Sequence, residues 1–249
     1  MSDKERSLRL LDEEIIACRK CPRLVEYRER VAREKRLMYR DWTYWGKPVP
    51  GFGDPEAQLL IVGLAPGAHG SNRTGRMFTG DRSGVFLYQA LYDAGFANQP
   101  NGATPDDGLS LLNVRISAAA RCAPPDNKPS PSELLNCRGY LEREIDILRP
   151  TAVLALGKIG WDVFLGILKH RGAIPERAGY RFAHGAEVDL PGARLRLFGV
   201  YHPSQQNTQT GLVTPAMYAK VLRRVRTFLE QSGKSAEGAQ VSQKKRRTA

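Results

Sequence analysis

The 249 residues predict an α/β fold, a three-layer α/β/α sandwich around a central four-stranded, mainly parallel sheet. Four short apolar runs have the length and composition of buried strands: 59–62, 111–114, 152–156 and 195–200. Helical patterns lie between or after them: 83–94, 131–148, 158–169 and 214–230. Strands that alternate with helices form parallel sheets covered on both faces. A chain of this length buries a sizeable core without disulfides.

The remaining segments flank this core. Residues 7–17 carry apolar residues at helical spacing, and residues 23–40 interleave arginine and glutamate as an exposed helix does. An aromatic, turn-rich segment follows at 42–51. The polar, basic end of the chain predicts a disordered tail over 232–249, after a single domain over 1–231.

The net charge of +12 limits the class of partner. Only five basic residues and one acidic residue lie beyond residue 233, so most of the positive charge belongs to the body of the chain. A basic body favours a polyanion, and nucleic acid before a membrane surface, although charge for solubility alone is the alternative. No apolar run reaches transmembrane length and the first residues do not resemble a signal peptide, which predicts a cytoplasmic protein without membrane contact.

Four cysteines form two pairs. Cys18 and Cys21 have the C-x2-C spacing, and Cys122 and Cys137 follow far along the chain. In a cytoplasmic chain this pattern indicates a metal site, either zinc or an iron–sulfur cluster, rather than disulfides. The spacing does not choose between the two, although Pro22 after a cysteine favours iron–sulfur. Four unrelated buried thiols are the alternative.

Two loops that follow strands are candidate ligand sites. Residues 63–81 are rich in glycine and leave the strand at 59–62, and open α/β sheets bind ligands at the carboxyl ends of strands. No acidic residue lies before Asp81 in this loop, so an acid or base must come from Asp81 or from elsewhere. His202 follows the strand at 195–200, and Pro203 fixes the backbone after it. The polar run 205–211 either lines a groove or is a solvated loop.

The motifs of these loops resemble those of the uracil-DNA glycosylase superfamily. They are GLAPG at 63–67, GRMFTG at 75–80, RCAPPDNKP at 121–129 and HPS at 202–204. The cysteine pattern is similar to that of the iron–sulfur members, and the resemblance extends from Cys18 to Leu229.

Three departures favour family 5 (type B) over its relatives. Leu64 stands where family 4 carries glutamate, and Ala65 where family 1 carries the catalytic aspartate. Ala118 replaces the asparagine with which family 4 reads uracil.

The resemblance implies a role for each matching position. The implied catalytic residues are Asp81, Asn127 and His202. The implied base-binding residues are Gly63, Leu64, Ala65, Phe78 and Ala118. The implied ligands of a 4Fe-4S cluster, or of zinc as the alternative, are Cys18, Cys21, Cys122 and Cys137.

The implied reaction is base removal from double-stranded DNA by a monomer, in base excision repair. Phe78 would stack on a base flipped out of the duplex, and His202 would stabilise the departing base anion. Asp81 would stabilise the sugar cation or orient water, and Asn127 would position water or hold a phosphate. With few polar groups to reject other bases, the pocket is expected to accept uracil and also hypoxanthine, xanthine or ethenocytosine.

The expected DNA contacts lie around the same loops. Four basic residues are candidate phosphate contacts: Arg73, Arg76, Arg82 and Lys128. The helix that begins near Ser83 would add its N-terminus, and the loop 205–211 would enter the minor groove without an apolar wedge.

Two other functions compete with this interpretation. A phosphate-binding hydrolase or nucleotidyl enzyme is disfavoured, because the glycine loop lacks both the P-loop ending and the dinucleotide spacing. A non-catalytic iron–sulfur or zinc DNA-binding module is supported by the missing acids of the first loop.

Overall fold

The computed structural model describes residues 1–193 and 195–247, and of Pro191 and residues 234–247 the backbone alone. The helices are α1 (Asp3–Ile16), α2 (Pro22–Glu34), α3 (Ser71–Thr74), α4 (Arg82–Asp93), α5 (Pro131–Leu148), α6 (Gly157–His170), α7 (Gln205–Gln209) and α8 (Pro215–Arg247). The strands are β1 (Phe52–Gly53), β2 (Leu59–Gly63), β3 (Val114–Ala118), β4 (Ala152–Leu156), β5 (Glu187–Leu190) and β6 (Leu195–Val200). None of the helices described is long and apolar enough to cross a membrane.

The sheet confirms the predicted fold class and extends it. Its order is β1-β3-β2-β4-β6-β5, with the four inner strands parallel and both edge strands antiparallel. The prediction of four strands therefore missed two edge strands, which are too short or too exposed to give an apolar run. The strand predicted over 111–114 is displaced and lies at Val114–Ala118, because Asn113 has a positive φ of 59° and its side chain accepts a hydrogen bond from the Gln58 amide.

Helices cover both faces of the sheet, as predicted. Successive residues of a strand point to opposite faces. In β2, Leu59 and Ile61 pack in one apolar cluster with residues of α4 and α8, whereas Leu60 and Val62 pack in another with residues of α1, α5 and α6. All five residues of β2 are buried, which is the pattern of a central parallel strand.

The helix after the first cysteine pair is shorter and less exposed than predicted. α2 ends at Glu34 instead of residue 40, because Lys35 leaves the helical region with a φ of 54° and a 3-10 turn follows at Leu37–Tyr39. One face of α2 is buried, with Leu24, Val31 and the side chain of Arg28 inside the protein. The charged residues of this segment alternate with apolar residues that recur at helical spacing, so one face of the helix is apolar.

The last helix is longer than predicted. The backbone of residues 232–247 continues α8, where the sequence predicts a disordered tail; residues 248 and 249 lie outside the described residues. Alanine, glutamine, glutamate, lysine and arginine make up most of this stretch and no proline interrupts it, and these are good helix formers. The division into one domain over 1–231 and a tail stays a prediction.

A buried ion network ties α5 to the sheet. The Glu144 carboxylate on α5 accepts hydrogen bonds from Arg115 and Ser117 on β3 and from Arg121 just beyond it. Arg115 also donates to Asp12 on α1. Burial would raise the pKa of Glu144, but the two guanidinium groups outweigh it and lower the pKa to about 2. The network fixes the chain that leads from β3 to Cys122.

Candidate active site

The predicted site residues gather at the carboxyl edge of the parallel strands. The loop 63–81 leaves β2, and the segment after β3 runs beside it, with the amides of Ala119 and Ala120 donating to the carbonyls of Gly63 and Leu64. Ala118 is buried and lies opposite Gly63 in the register of the two strands. Leu64 and Ala65 follow at the same edge and are partly exposed. Of the five residues predicted to contact a base, Gly63, Leu64, Ala65 and Ala118 therefore lie at one corner of the sheet. The fifth, Phe78, lies on the loop and reaches the same corner, because its ring contacts Gly63.

Phe78 and His202 form two walls of this corner. Their ring centroids are 6.0 Å apart and the ring planes are inclined by 33°. The Phe78 ring lies on the backbone of Gly63, where a Cβ atom would come within 3.2 Å of Cε2. Phe78 itself has a positive φ of 52°, a conformation that costs energy for a bulky residue and that the surrounding loop must impose. The loop therefore fixes the place of the aromatic ring, which is partly buried and packs against the edge of the core.

Asp81 is the N-cap of α4. One carboxylate oxygen accepts a hydrogen bond from the Gly84 amide at 2.9 Å, and the other faces Gly67 and Gly70 of the loop. A side chain at Gly70 would overlap the carboxylate, so the glycine allows the loop to close over it. Burial raises the pKa of Asp81, while the backbone amides of Gly84 and Ser83 and the charge of Arg73 oppose that rise.

His202 is neutral at physiological pH. Burial lowers its pKa to about 4. The Asn207 side chain donates to the His202 carbonyl at 2.9 Å, which ties the histidine to α7. The segment predicted as a polar loop over 205–211 contains this short helix, because the Ser204 hydroxyl caps it by accepting from the Asn207 amide. A neutral imidazole has one N–H donor to offer to a ligand.

Asn127, the third predicted catalytic residue, lies on the segment between β3 and α5. It is exposed on the 3-10 turn Pro125–Asn127, with a positive φ of 56°. Within the described part of the chain, no hydrogen bond joins its side chain to Asp81 or His202. The role implied for Asn127 stays a prediction.

Two of the four arginine and lysine residues predicted to bind phosphate are buried. Arg73 donates to the carbonyls of His69 and Gly80, both at 2.8 Å, and its guanidinium lies 4.0 Å from the ring centroids of Tyr39 and Trp42.

Arg76 pairs with Asp107 at 2.8 Å and donates to the Pro105 carbonyl. Both arginines therefore stabilise the loop and cannot reach DNA, whereas Arg82 and Lys128 are exposed. The sequence did not separate the two kinds, because all four lie in or near the same polar loops.

Sequence reasoning missed the aromatic partners of this loop. Tyr44 is buried and its hydroxyl is 3.0 Å from Nδ1 of His69, and the Trp45 amide donates to the Arg73 carbonyl. The density of aromatic residues over 42–51 was the available signal, but nothing in it specified the loop 63–81 as the partner.

The four cysteines meet around one cavity. Cys18 and Cys21 lie between α1 and α2, Cys122 lies beyond β3, and Cys137 is on α5. All four are free thiols. Arg28 donates to the Cys122 sulfur at 3.5 Å, and the Asn136 side chain donates to the Cys21 sulfur at 3.4 Å.

The four cysteines that line this cavity are the residues that could hold an iron–sulfur cluster or a zinc ion. The N–H donors aimed at sulfur, from the buried Arg28 and the exposed Asn136, suit thiolates, which carry negative charge. Among the described residues, no group of three or more histidine, cysteine or carboxylate side chains is already placed to hold a metal ion.

Comparison with known proteins decides the family. Residues 50–226 match the model of the uracil DNA glycosylase superfamily. This chain belongs to that superfamily. A type-5 uracil-DNA glycosylase of Thermus thermophilus is 51% identical over 84% of this chain and 92% of its own length.

Sequence identity separates type 5 from type 4 within the superfamily. The type-5 uracil-DNA glycosylase of Pyrobaculum aerophilum is 45% identical over 84% of this chain and 88% of its own. The type-4 uracil-DNA glycosylase of the same organism is 29% identical over 79% and 83%. The chain is thus a type-5 member, as its motifs indicate, and the interpretation as a non-catalytic module loses its support.

Proposed function

We propose that this member of the superfamily hydrolyses the N-glycosidic bond of uracil in DNA, as the first step of base excision repair. The observation that carries the proposal is the Phe78 ring against Gly63 with the His202 ring 6.0 Å from it, on the loop that ends in the capped carboxylate of Asp81. This corner offers an aromatic face, a neutral donor and a carboxylate, which base removal requires.

His202 serves the leaving base. Cleavage breaks the bond from C1′ to N1 and leaves its electron pair on uracil, so that negative charge develops on the uracil oxygens. A neutral imidazole donates its N–H to such an oxygen without carrying a charge into the pocket. The pKa of about 4 keeps His202 in this form at neutral pH.

Asp81 serves the sugar. Positive charge develops on the deoxyribose as the bond breaks, and a carboxylate on that side stabilises it or orients the water that adds to C1′. The proton released by the water then passes to the carboxylate or to solvent. The Gly84 hydrogen bond keeps the Asp81 side chain in one rotamer throughout. Asn127, on its exposed turn, positions water or holds a phosphate.

Substitution of Asp81 and His202 tests these roles. Asp81→Asn keeps an N-cap oxygen for Gly84, so we expect uracil release to fall about 100-fold or more while stability changes little. His202→Ala should slow release by a similar factor, because the leaving anion loses its donor. Single-turnover release from a uracil-containing oligonucleotide, with thermal melting of each variant, measures both; full activity of Asp81→Asn would contradict the assignment.

The pocket is also proposed to accept other deaminated or damaged bases. Ala118 and Ala65 have no polar side chain to offer to the base, and Leu64 is apolar, so these three positions cannot reject a base by leaving a buried polar group unpaired. We expect release of hypoxanthine, xanthine or ethenocytosine besides uracil from duplexes that carry one lesion each. Release of uracil alone would contradict this scope.

A 4Fe-4S cluster is proposed at Cys18, Cys21, Cys122 and Cys137. Once bound, the cluster supplies covalent links between the α1–α2 connection, the end of β3 and α5. The purified protein should be brown and contain iron and acid-labile sulfide, and Cys137→Ser should lower both contents and the melting temperature. Stoichiometric zinc in a colourless active protein would contradict the cluster and support the zinc alternative.

The remaining proposals concern the substrate complex. The target base is flipped out of double-stranded DNA to reach Phe78, which stacks on it. The protein acts as a monomer in the cytoplasm, at the nucleoid.

A further inference from the structure

Two neighbouring apolar side chains project from the protein beside the site. Leu37 is 81% exposed and Met38 is 72% exposed, and both lie on the 3-10 turn that follows α2. Single exposed apolar residues are common on protein surfaces, but an adjacent exposed pair indicates a contact surface. We call residues 35–42 the tip.

The tip is attached to the loop that carries Asp81. The rings of Tyr39 and Trp42 enclose the Arg73 guanidinium, which in turn holds the Gly80 carbonyl next to Asp81. The chain beyond the tip is also fixed to the loop, since the amides of Trp45 and Gly46 donate to the carbonyls of Arg73 and Asn72. One buried side chain therefore separates the tip from the site, and the two have a fixed spacing.

The charge around the apolar pair suits a polyanion. Arg36 and Arg40 are exposed on either side of Leu37 and Met38, and Lys35 closes the turn by donating to the Arg40 carbonyl at 3.1 Å. Asp41 is the acidic residue of the tip and pairs with Arg40. Basic residues that flank apolar ones are the composition of elements that contact phosphates and insert a wedge between base steps.

We propose that the tip is a second DNA-contacting element, which presses Leu37 and Met38 against the base pairs next to the target base while Arg36 and Arg40 contact the phosphates. The inference rests on the proposed uracil excision. It gives the enzyme an apolar wedge outside the polar segment 205–211. The wedge offsets the cost of unstacking, so it acts on duplex substrates and has no task on single strands.

The test compares two double variants of the full-length protein. Leu37→Ser with Met38→Ser removes the wedge, and Leu10→Ser with Leu112→Ser is the control, because both leucines are about half exposed and lie outside the tip, on α1 and before β3. Exposed substitutions of this kind leave the fold intact. Each variant is assayed on uracil in a duplex and in the same strand alone, and 2-aminopurine beside the uracil reports unstacking.

We expect the tip variant to lose roughly tenfold in single-turnover rate on the duplex and most of the 2-aminopurine signal, with the single-strand rate unchanged. The control should match the unaltered protein on both substrates. Equal rates of both variants on the duplex would overturn the inference, and so would an equal loss on duplex and single strand. If the unaltered protein releases no uracil from either substrate, the proposed function fails instead, and duplex affinity of the two variants then decides the inference.

Discussion

Burial sets the protonation of the two titratable groups at the site in opposite directions. It raises the pKa of Asp81 and lowers that of His202 to about 4, because in each case the charged form is disfavoured away from water. For Asp81 the backbone amides and Arg73 limit the rise. His202 is thus uncharged near neutral pH, and the amides and Arg73 favour the carboxylate form of Asp81, which is the pair that the proposed chemistry uses.

This combination predicts the pH dependence of the rate. As the pH falls through the raised pKa of Asp81, its carboxylate is protonated and uracil release should slow. His202 adds a further loss only near its own pKa of about 4. Single-turnover rates between about pH 4.5 and 9 test this. The Asp81→Asn variant should be slow and should lose the fall in rate at low pH. If its rate still falls at low pH as that of the unaltered protein does, another group titrates.

Arg73 illustrates how a residue's surroundings decide its role. Its guanidinium is buried between two aromatic rings and binds two loop carbonyls. Arg73→Met should destabilise the protein by about 2–4 kcal/mol and slow uracil release, because the donors to His69 and Gly80 are lost. Arg73→Lys should recover only part of either property, since an ammonium cannot donate in the same fork. Melting curves and release rates measure both, and a phosphate contact would instead change only DNA affinity.

At the scale of elements, local sequence signals fixed the helices that begin at caps. α5 starts at Pro131 as predicted, where Ser130 and Glu133 form a capping box. α4 starts after Asp81, so that the proposed catalytic carboxylate is also a cap. The early end of α2 was missed because a positive φ at Lys35 cannot be inferred from composition. The edge strands were missed because they depend on pairing with a neighbouring strand, which a short segment of sequence does not reveal.

The link between α5 and β3 should carry a large part of the stability. Glu144→Gln removes the negative charge that neutralises the buried Arg115 and Arg121. We therefore expect the free energy of unfolding to fall by about 3–5 kcal/mol. Asp146→Asn on the same helix removes an exposed pair with Arg171 and should cost much less. Urea unfolding of both variants compares them; equal losses would contradict the weight given to the buried network.

The same carboxylate gives the network a pH dependence. The pKa of Glu144 is lowered to about 2 in the folded protein, below its value of about 4.3 in the unfolded chain. Its contribution is therefore complete above the unfolded pKa and is lost as the pH falls toward 2.

At the scale of the whole molecule, the net charge of +12 should govern association with DNA. Affinity for a uracil-containing duplex is expected to fall at least about tenfold between 50 and 200 mM salt, because phosphate contacts release counterions. Lys128→Ala should reduce the slope of that dependence by about one, whereas the buried Arg76 contributes no phosphate contact. Fluorescence anisotropy at several salt concentrations tests this, and an affinity independent of salt would contradict it.

By itself, the sequence determined the fold class, the family and the approximate place of the site. Apolar runs, caps and short motifs such as those at 63–67 and 202–204 are local, so they are visible in one dimension. Only the tertiary structure decided which charged residues reach solvent. Arg73 and Arg82 look alike in the sequence, yet one is enclosed by Tyr39 and Trp42 and the other is exposed. The burial of a side chain depends on residues that are distant in the chain. The pKa of the group and the partners that it can bind depend on that burial.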